Sequence, residues 1–172
     1  MDVEVPGFRG GDRTSLELPA PQQALLQRIV ALGKPTVLVL LNGSALAVNW
    51  ADGNVPAILE GWYPGQAAGS AIADILFGDY NPAGRLPVTF YRSVDDLPPF
   101  EDYHTDGRTY RFFEGDPLYP FGYGLSYTTF QYSGLAADRA TLSAGDSVTF
   151  SVRVRAGLAG TPNPRPSWTL RS

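Results

Sequence analysis

Residues 57–90 read AILEGWYPGQAAGSAIADILFGDYNPAGRLPVTF, and their punctuation decides how the chain is built. Ala57, Ile58 and Leu59 begin a short apolar run that stops at Gly61-Trp62-Tyr63-Pro64-Gly65, where one proline and two glycines prevent a strand from continuing. From Gln66 to Phe77 the apolar positions Ala68, Ile72, Ile75 and Leu76 recur at helical spacing. Ala67, Gly69, Ala71 and Ala73 keep that helix slim enough to lie close on a sheet, and Gly78 supplies its stop. Asn81-Pro82-Ala83-Gly84 is a turn signal, and Leu86, Val88 and Phe90 then alternate as an edge strand, with Pro87 arguing against a central place. Strand, glycine loop, helix, turn and strand form one α/β unit.

Upstream, the same grammar repeats. Pro21 suits the first turn of a helix whose apolar face is Leu25, Leu26, Ile29 and Val30 and whose end is Gly33 with Pro35. Thr36 to Leu41, TVLVLL, is a continuous apolar run of the kind buried on both faces of a parallel sheet, and it ends at Asn42-Gly43-Ser44. Two such units predict an open, mostly parallel α/β sheet covered by helices. Ligands of such sheets lie outside the carboxyl ends of the strands, which singles out Asn42 to Ser44 and Trp62 to Gln66. Trp62 and Tyr63 are therefore candidate sugar-stacking residues, with packing in the core as the competing reading. In the N-terminal stretch, Asp12 and Arg13 are candidates either for a sugar contact or for an ion pair that pins a loop.

Composition narrows the function classes. With 172 residues there is room for one domain or a domain and part of another, and 44% hydrophobic with 17% charged residues is the balance of a globular chain. A net charge of −4 without a Lys/Arg cluster argues against a nucleic-acid partner. Zero cysteines exclude disulfides and thiolate metal sites, and His104 alone makes a poor metal ligand set, so no cofactor or metal is expected. No apolar run is long enough to span a membrane, and residues 1–13 lack the features of a signal peptide, so the compartment stays open. The loops at 42–44 and 64–66 carry neither a phosphate-loop lysine nor the spaced glycines of a dinucleotide fingerprint.

From Ser93 to Tyr119 the chain is loop-like, with Asp95, Asp96, Glu101, Asp102 and Asp106 interleaved with Tyr103, Tyr110, Phe112 and Phe113. Carboxylates beside aromatics suit a glycosidase, and equally a solvated arm that folds back on the α/β part. Phe121 to Tyr127, FGYGLSY, precedes a strand-like stretch rather than a helix, so its glycines point to a close backbone approach. Residues 141–155 read as a hairpin with a Ser143-Ala144-Gly145-Asp146 turn and an alternating face of Val148, Phe150, Val152 and Val154. Residues 156–172 show no alternation and read as an irregular tail, which a shifted reading frame would explain.

The runs EGWYPGQAAGSAIADILFGDYNPAGRLPVTFYRSVDDLPPF, GRTYRFF and PLYPFGYGLSYTTF resemble the C-terminal region of glycoside hydrolase family 3, the β-glucosidases and β-xylosidases, and the resemblance extends from about Val3 to Val154. It implies residues 1–92 as a partial α/β sandwich domain, 93–126 as a connecting arm, 127–155 as the first strands of a fibronectin type III-like β-sandwich, and the tail beyond. It also implies retaining hydrolysis of a β-linked glycoside or oligosaccharide by two carboxyl groups. The nucleophile would lie in an N-terminal barrel domain that this stretch does not contain, and the acid/base glutamate just upstream of Met1. No catalytic carboxylate is then expected in the chain, and Glu4 falls at a variable position. The expectation is a C-terminal fragment inactive alone, with a non-catalytic carbohydrate-binding module, or the product of a broken gene, as alternatives.

Overall fold

A computed structural model describes residues 14–158. The elements run α1 Ala20–Ala31, β1 Val37–Leu40, α2 Asn49–Asn54, β2 Ala57–Glu60, α3 Ala68–Phe77, a 3₁₀ turn Val94–Asp96, α4 Thr109–Phe112, β3 Thr128–Ala137 and β4 Phe150–Leu158. Two small sheets result, of opposite kinds. β1 and β2 pair in parallel with Val37 opposite Ala57 and Leu40 opposite Glu60. β3 and β4 pair antiparallel, from Thr128 opposite Leu158 to Ala137 opposite Phe150, with a bulge between Ser133 and Ala136.

A parallel pair cannot close through a tight turn, and residues 41–56 make the crossover. They contain α2, a helix that the sequence NWADGN does not advertise because glycine and asparagine are poor helix formers. Burial supports it instead. Ala51 is fully buried, and Val48 and Val55 on either side of the helix join Leu26, Leu40, Leu46, Phe90 and Leu118 in one core cluster.

α1 begins over Pro19, whose carbonyl accepts from the N–H groups of Gln22 and Gln23, and Leu26 is its buried contact with the core. α3 ends as expected at Gly78, in the left-handed conformation at φ 88°. Two expectations about this unit change. The helix starts at Ala68 rather than Gln66, and none of its residues is buried, Phe77 being 81% exposed. A two-stranded sheet is too narrow to cover it.

The expected strand at Leu86–Phe90 is also modified. Phe90 and Tyr119 form an isolated antiparallel bridge, their backbones exchanging hydrogen bonds of 2.9 and 3.2 Å. The Leu86 N–H donates to the Tyr123 carbonyl, and the Gly122 N–H donates to the Leu86 carbonyl. Gly122 rather than Tyr123 donates to the Leu86 carbonyl, so the register slips by one residue between the two contacts and the segments do not form a continuous ladder.

The close approach foreseen for the glycines of residues 121–127 is present. A Cβ on Gly124 would sit 2.3 Å from the Gly84 carbonyl oxygen. Asn81 ties down the same segment, its Nδ2 donating to Ser126 Oγ and its Oδ1 accepting from the Tyr127 N–H at 3.0 Å each. The expected hairpin over 141–155 is relocated. Its turn forms, with the Asp146 N–H donating to the Ser143 carbonyl and Gly145 at φ 92°, but it sits within a longer connection, and the strands are β3 and β4 on either side. β4 continues through Leu158, into the stretch expected to be irregular. The remainder of that tail lies outside the described residues.

Gly124→Ala should therefore destabilise the fold by about 1–3 kcal/mol, the usual cost of forcing a methyl into a filled space. Thermal unfolding followed by circular dichroism measures it, with Gly53→Ala, where nothing lies within 4 Å, as the reference.

Candidate functional site

The parallel register brings the ends of β1 and β2 to the same level, so the loops beginning at Leu41 and Gly61 leave side by side. The Gly61 N–H extends the ladder by donating to the Leu40 carbonyl at 2.9 Å. Trp62 follows at φ +49°, the left-handed region that a tryptophan enters at a cost of about 1–3 kcal/mol. Two contacts hold it there. Its N–H donates to Glu60 Oε1 at 3.0 Å, and its ring meets Phe90 edge-on with centroids 6.0 Å apart.

The reversal separates the two candidate aromatics. Trp62 is half-buried against the core, whereas Tyr63 is 80% exposed. Tyr63 lies over the backbone of the neighbouring loop, where a Cβ on Gly43 would come within 2.6 Å of both its Cε2 and its Oη. Glycine at 43 is what lets the aromatic ring rest on the loop. Asp12, Arg13 and Glu4 fall outside the described residues.

Beneath the rim sit two acceptors. Asn42 donates through Nδ2 to the Ser44 carbonyl at 2.7 Å, while its Oδ1, and Oε2 of Glu60, are buried without a hydrogen-bond partner. Burial pushes the Glu60 carboxyl up from its ordinary value, against the lowering pull of the Trp62 N–H and of the Asn42 side chain. The arrangement offers a flat exposed ring, Tyr63, lying on the loop that leaves the neighbouring strand, with the two buried acceptors, Asn42 Oδ1 and Glu60 Oε2, close in sequence to Gly43 and Tyr63 respectively. An exposed ring of this kind suits the C–H face of a polyhydroxy ligand.

The acidic residues of the arm are occupied differently. Asp96 Oδ2 accepts from the N–H groups of Arg92 and Ser93, capping the 3₁₀ turn. Asp116 pairs with Arg92 at 3.0 Å. The N–H of His104, and after it the His104 ring at 2.7 Å, hold the Asp102 carboxyl below the usual carboxylate range. Asp52 accepts from Tyr119 Oη at 2.7 Å, and burial followed by this bond raises the Tyr119 hydroxyl. These are bonds that close turns and tie segments together. Among the described residues no three His, Cys, Asp or Glu side chains cluster as a metal site. Glu60 was not a sequence candidate, since only the pairing register shows which end of the sheet its carboxyl occupies.

Because the folded-state pKa of Glu60 lies above 4.5, the folded chain holds this proton more tightly than the unfolded one. Its favourable contribution is complete below the unfolded pKa and is lost as pH rises through the folded value. Glu60→Gln keeps an acceptor for the Trp62 N–H but does not ionise. Its stability relative to the parent should rise with pH from about 4 towards 8, read from paired thermal melts, and a difference independent of pH would refute this.

Comparison with known proteins identifies the family of the chain. Residues 4–127 match the family model described as the glycosyl hydrolase family 3 C-terminal domain. The chain is 48% identical over 163 residues to a xylan 1,4-β-xylosidase of Xylanibacter ruminicola, covering 95% of this chain and 18% of that protein. It is 46% identical over 154 residues to a periplasmic β-glucosidase of Salmonella typhimurium, covering 83% and 20%. Among solved structures, a β-glucosidase of Erythrobacter marinus superposes with a TM-score of 0.73 at 46% identity, over 89% of this chain and 20% of that one. β-Glucosidase 3B of Thermotoga neapolitana, in complex with α-D-glucose, gives 0.71 at 32% identity, over 84% and 22%. The chain thus spans about a fifth of the length of these relatives.

Proposed function

This chain belongs to the glycosyl hydrolase family 3 C-terminal domain family, and on that premise we propose that it is the C-terminal portion of a retaining β-glycosidase that removes terminal β-linked glucosyl or xylosyl residues. The observation that supports this most is the 48% identity, sustained over 95% of the chain, to a relative named for β-xylosidase activity. Relatives named for glucosidase activity match almost as well, so both sugars belong in the test.

In this reading residues 1–92 form the α/β part, 93–126 the arm, and 127–155 the opening of a fibronectin type III-like sandwich. The ribbon supports the last assignment. Along β3 and β4, Phe130, Tyr132, Phe150, Val152 and Val154 fall on one face while Gln131, Ser133, Arg153 and Arg155 fall on the other, the alternation of a strand pair that packs against a second sheet.

Retaining hydrolysis uses two carboxyl groups about 5–5.5 Å apart across the scissile bond. In this reading the nucleophile comes from a barrel domain and the acid/base from a loop preceding the chain, both outside residues 1–172. It is supported among the described residues by Glu60, whose Oε1 accepts from the Trp62 N–H, and by Asp96 and Asp102, whose carboxylates accept from nearby backbone N–H groups. Binding in this reading falls to Tyr63 at the strand end as the stacking ring, with Asp12 and Arg13, which lie outside the described residues, as further sugar contacts.

A positioned general acid is worth about 10²–10⁴ in rate, so a chain without either group should be inert. The purified protein should leave aryl β-glucoside and β-xyloside intact while binding glucose or xylose in a titration calorimeter. Tyr63→Ala should weaken that binding about tenfold, in line with an aromatic contact worth roughly 0.5–1.5 kcal/mol. Turnover that co-purifies with the chain would overturn the account and direct mutation to Glu4, Glu101 and Asp102.

A further inference from the structure

Two buried oxygens at the strand ends lack a donor. Glu60 gives Oε1 to the Trp62 N–H at 3.0 Å, and its Oε2 is buried and unbonded. Asn42 gives Nδ2 to the Ser44 carbonyl at 2.7 Å, and its Oδ1 is likewise buried and unbonded. The two side chains belong to different loops but meet, the Asn42 amide lying within hydrogen-bonding reach of the Glu60 carboxyl. The register explains the meeting, since Glu60 sits opposite Leu40 and Asn42 follows two residues later.

The amide has one orientation. The Ser44 carbonyl takes only a donor, so Nδ2 is the atom on it and Oδ1 the atom left over. A carboxylate offers acceptors alone and leaves both oxygens unsatisfied, whereas a carboxylic acid has one O–H to give. Buried acceptors without a donor are costly, and a single proton on Glu60 Oε2 satisfies the pair at once. Burial is the largest influence on this carboxyl and favours the uncharged form. The Trp62 N–H and the second Nδ2 hydrogen of Asn42 pull the other way. No charged side chain among the described residues figures beside them, and β1 sets the apolar Leu40 opposite.

We propose that Glu60 is a proton-gated clasp between the two strand-end loops: as the acid it holds the Trp62 N–H on Oε1 and donates from Oε2 to Asn42 Oδ1, and as the carboxylate it keeps Trp62 and releases Asn42. The proton passes to solvent water. What moves with it is the loop from Asn42 to Ser44, on whose Gly43 the Tyr63 ring rests. Trp62 stays left-handed in both states, because its N–H bond survives ionisation. The clasp is closed at low pH and opens as pH rises through the folded-state value of Glu60. It lies within this chain and does not depend on whether Tyr63 meets a sugar.

Carbon-detected NMR of the 172-residue chain follows the Glu60 carboxyl carbon from about pH 3 to 8, while the Asn42 side-chain amide signals report the loop. Both should titrate together, with one midpoint above the ordinary 4.5. Asn42→Ala removes the acceptor, so Glu60 should lose at least about threefold in proton affinity and its midpoint should move down. Glu60→Gln donates from an amide N–H at every pH, so its Asn42 signals should stay at the low-pH position of the parent throughout. Circular dichroism checks folding, and if Asn42→Ala does not fold the Gln variant decides alone. A midpoint that rises or holds still in Asn42→Ala overturns the proposal, because Asn42 then serves the carboxylate or neither form. So do Asn42 signals that ignore the Glu60 titration, or that still follow pH in Glu60→Gln. Absence of sugar binding in the calorimeter would sink the proposed function and leave the clasp standing.

Discussion

Phe90 is 1% exposed, and three parts of the chain converge on it. Its ring takes Trp62 edge-on and Tyr119 at a tilt, with centroids 6.0 and 5.9 Å away, while its backbone exchanges both hydrogen bonds with Tyr119. Tyr119 reaches onward to Asp52 in α2 and stacks on Tyr123 at 5.0 Å. A single buried aromatic thereby fixes the strand-end loop, the crossover helix and the return of the arm. Full burial of such a side chain is worth roughly 1.5–3 kcal/mol, a large fraction of the margin by which any domain is stable. The left-handed Trp62 is tolerable because Phe90 and Glu60 over-determine it.

Away from that centre the fold thins. α3 buries none of its residues, and Tyr132 and Phe150 on the ribbon are 70% and 67% exposed. A chain with 44% hydrophobic residues would ordinarily cover more of them. The chain spans about a fifth of the length of the relatives it matches.

Glycine and proline carried most of what the sequence revealed. The end of α3 at Gly78 and a close backbone approach within residues 121–127 were legible because such backbone positions tolerate little else, though that the partner is Gly84 was not. Elements held by long-range contacts were not. α2 has no helical signature in NWADGN and exists because Ala51, Val48 and Val55 are buried. The alternation over residues 86–90 was real, but a one-residue slip against residues 119–123 reduced the strand to a single isolated bridge. Of the site, the location at the strand ends was legible from topology, and so were Trp62 and Tyr63. Which of them faces solvent depended on one backbone angle, and Glu60 on the register of β1 with β2.

The stretch between Phe90 and Tyr119 leaves and returns at one place, its two ends tied to each other there, at Leu86 with Gly122, and again where Asn81 grips Ser126 and Tyr127. In topological terms it is a loop closed by noncovalent staples. A protease that cuts within its exposed middle would sever the polypeptide without releasing either side, because the staples and the Phe90 core hold the fragments as the intact chain is held. Evolution can lengthen, shorten or redecorate such a loop at little cost, closure entropy growing only with the logarithm of its length.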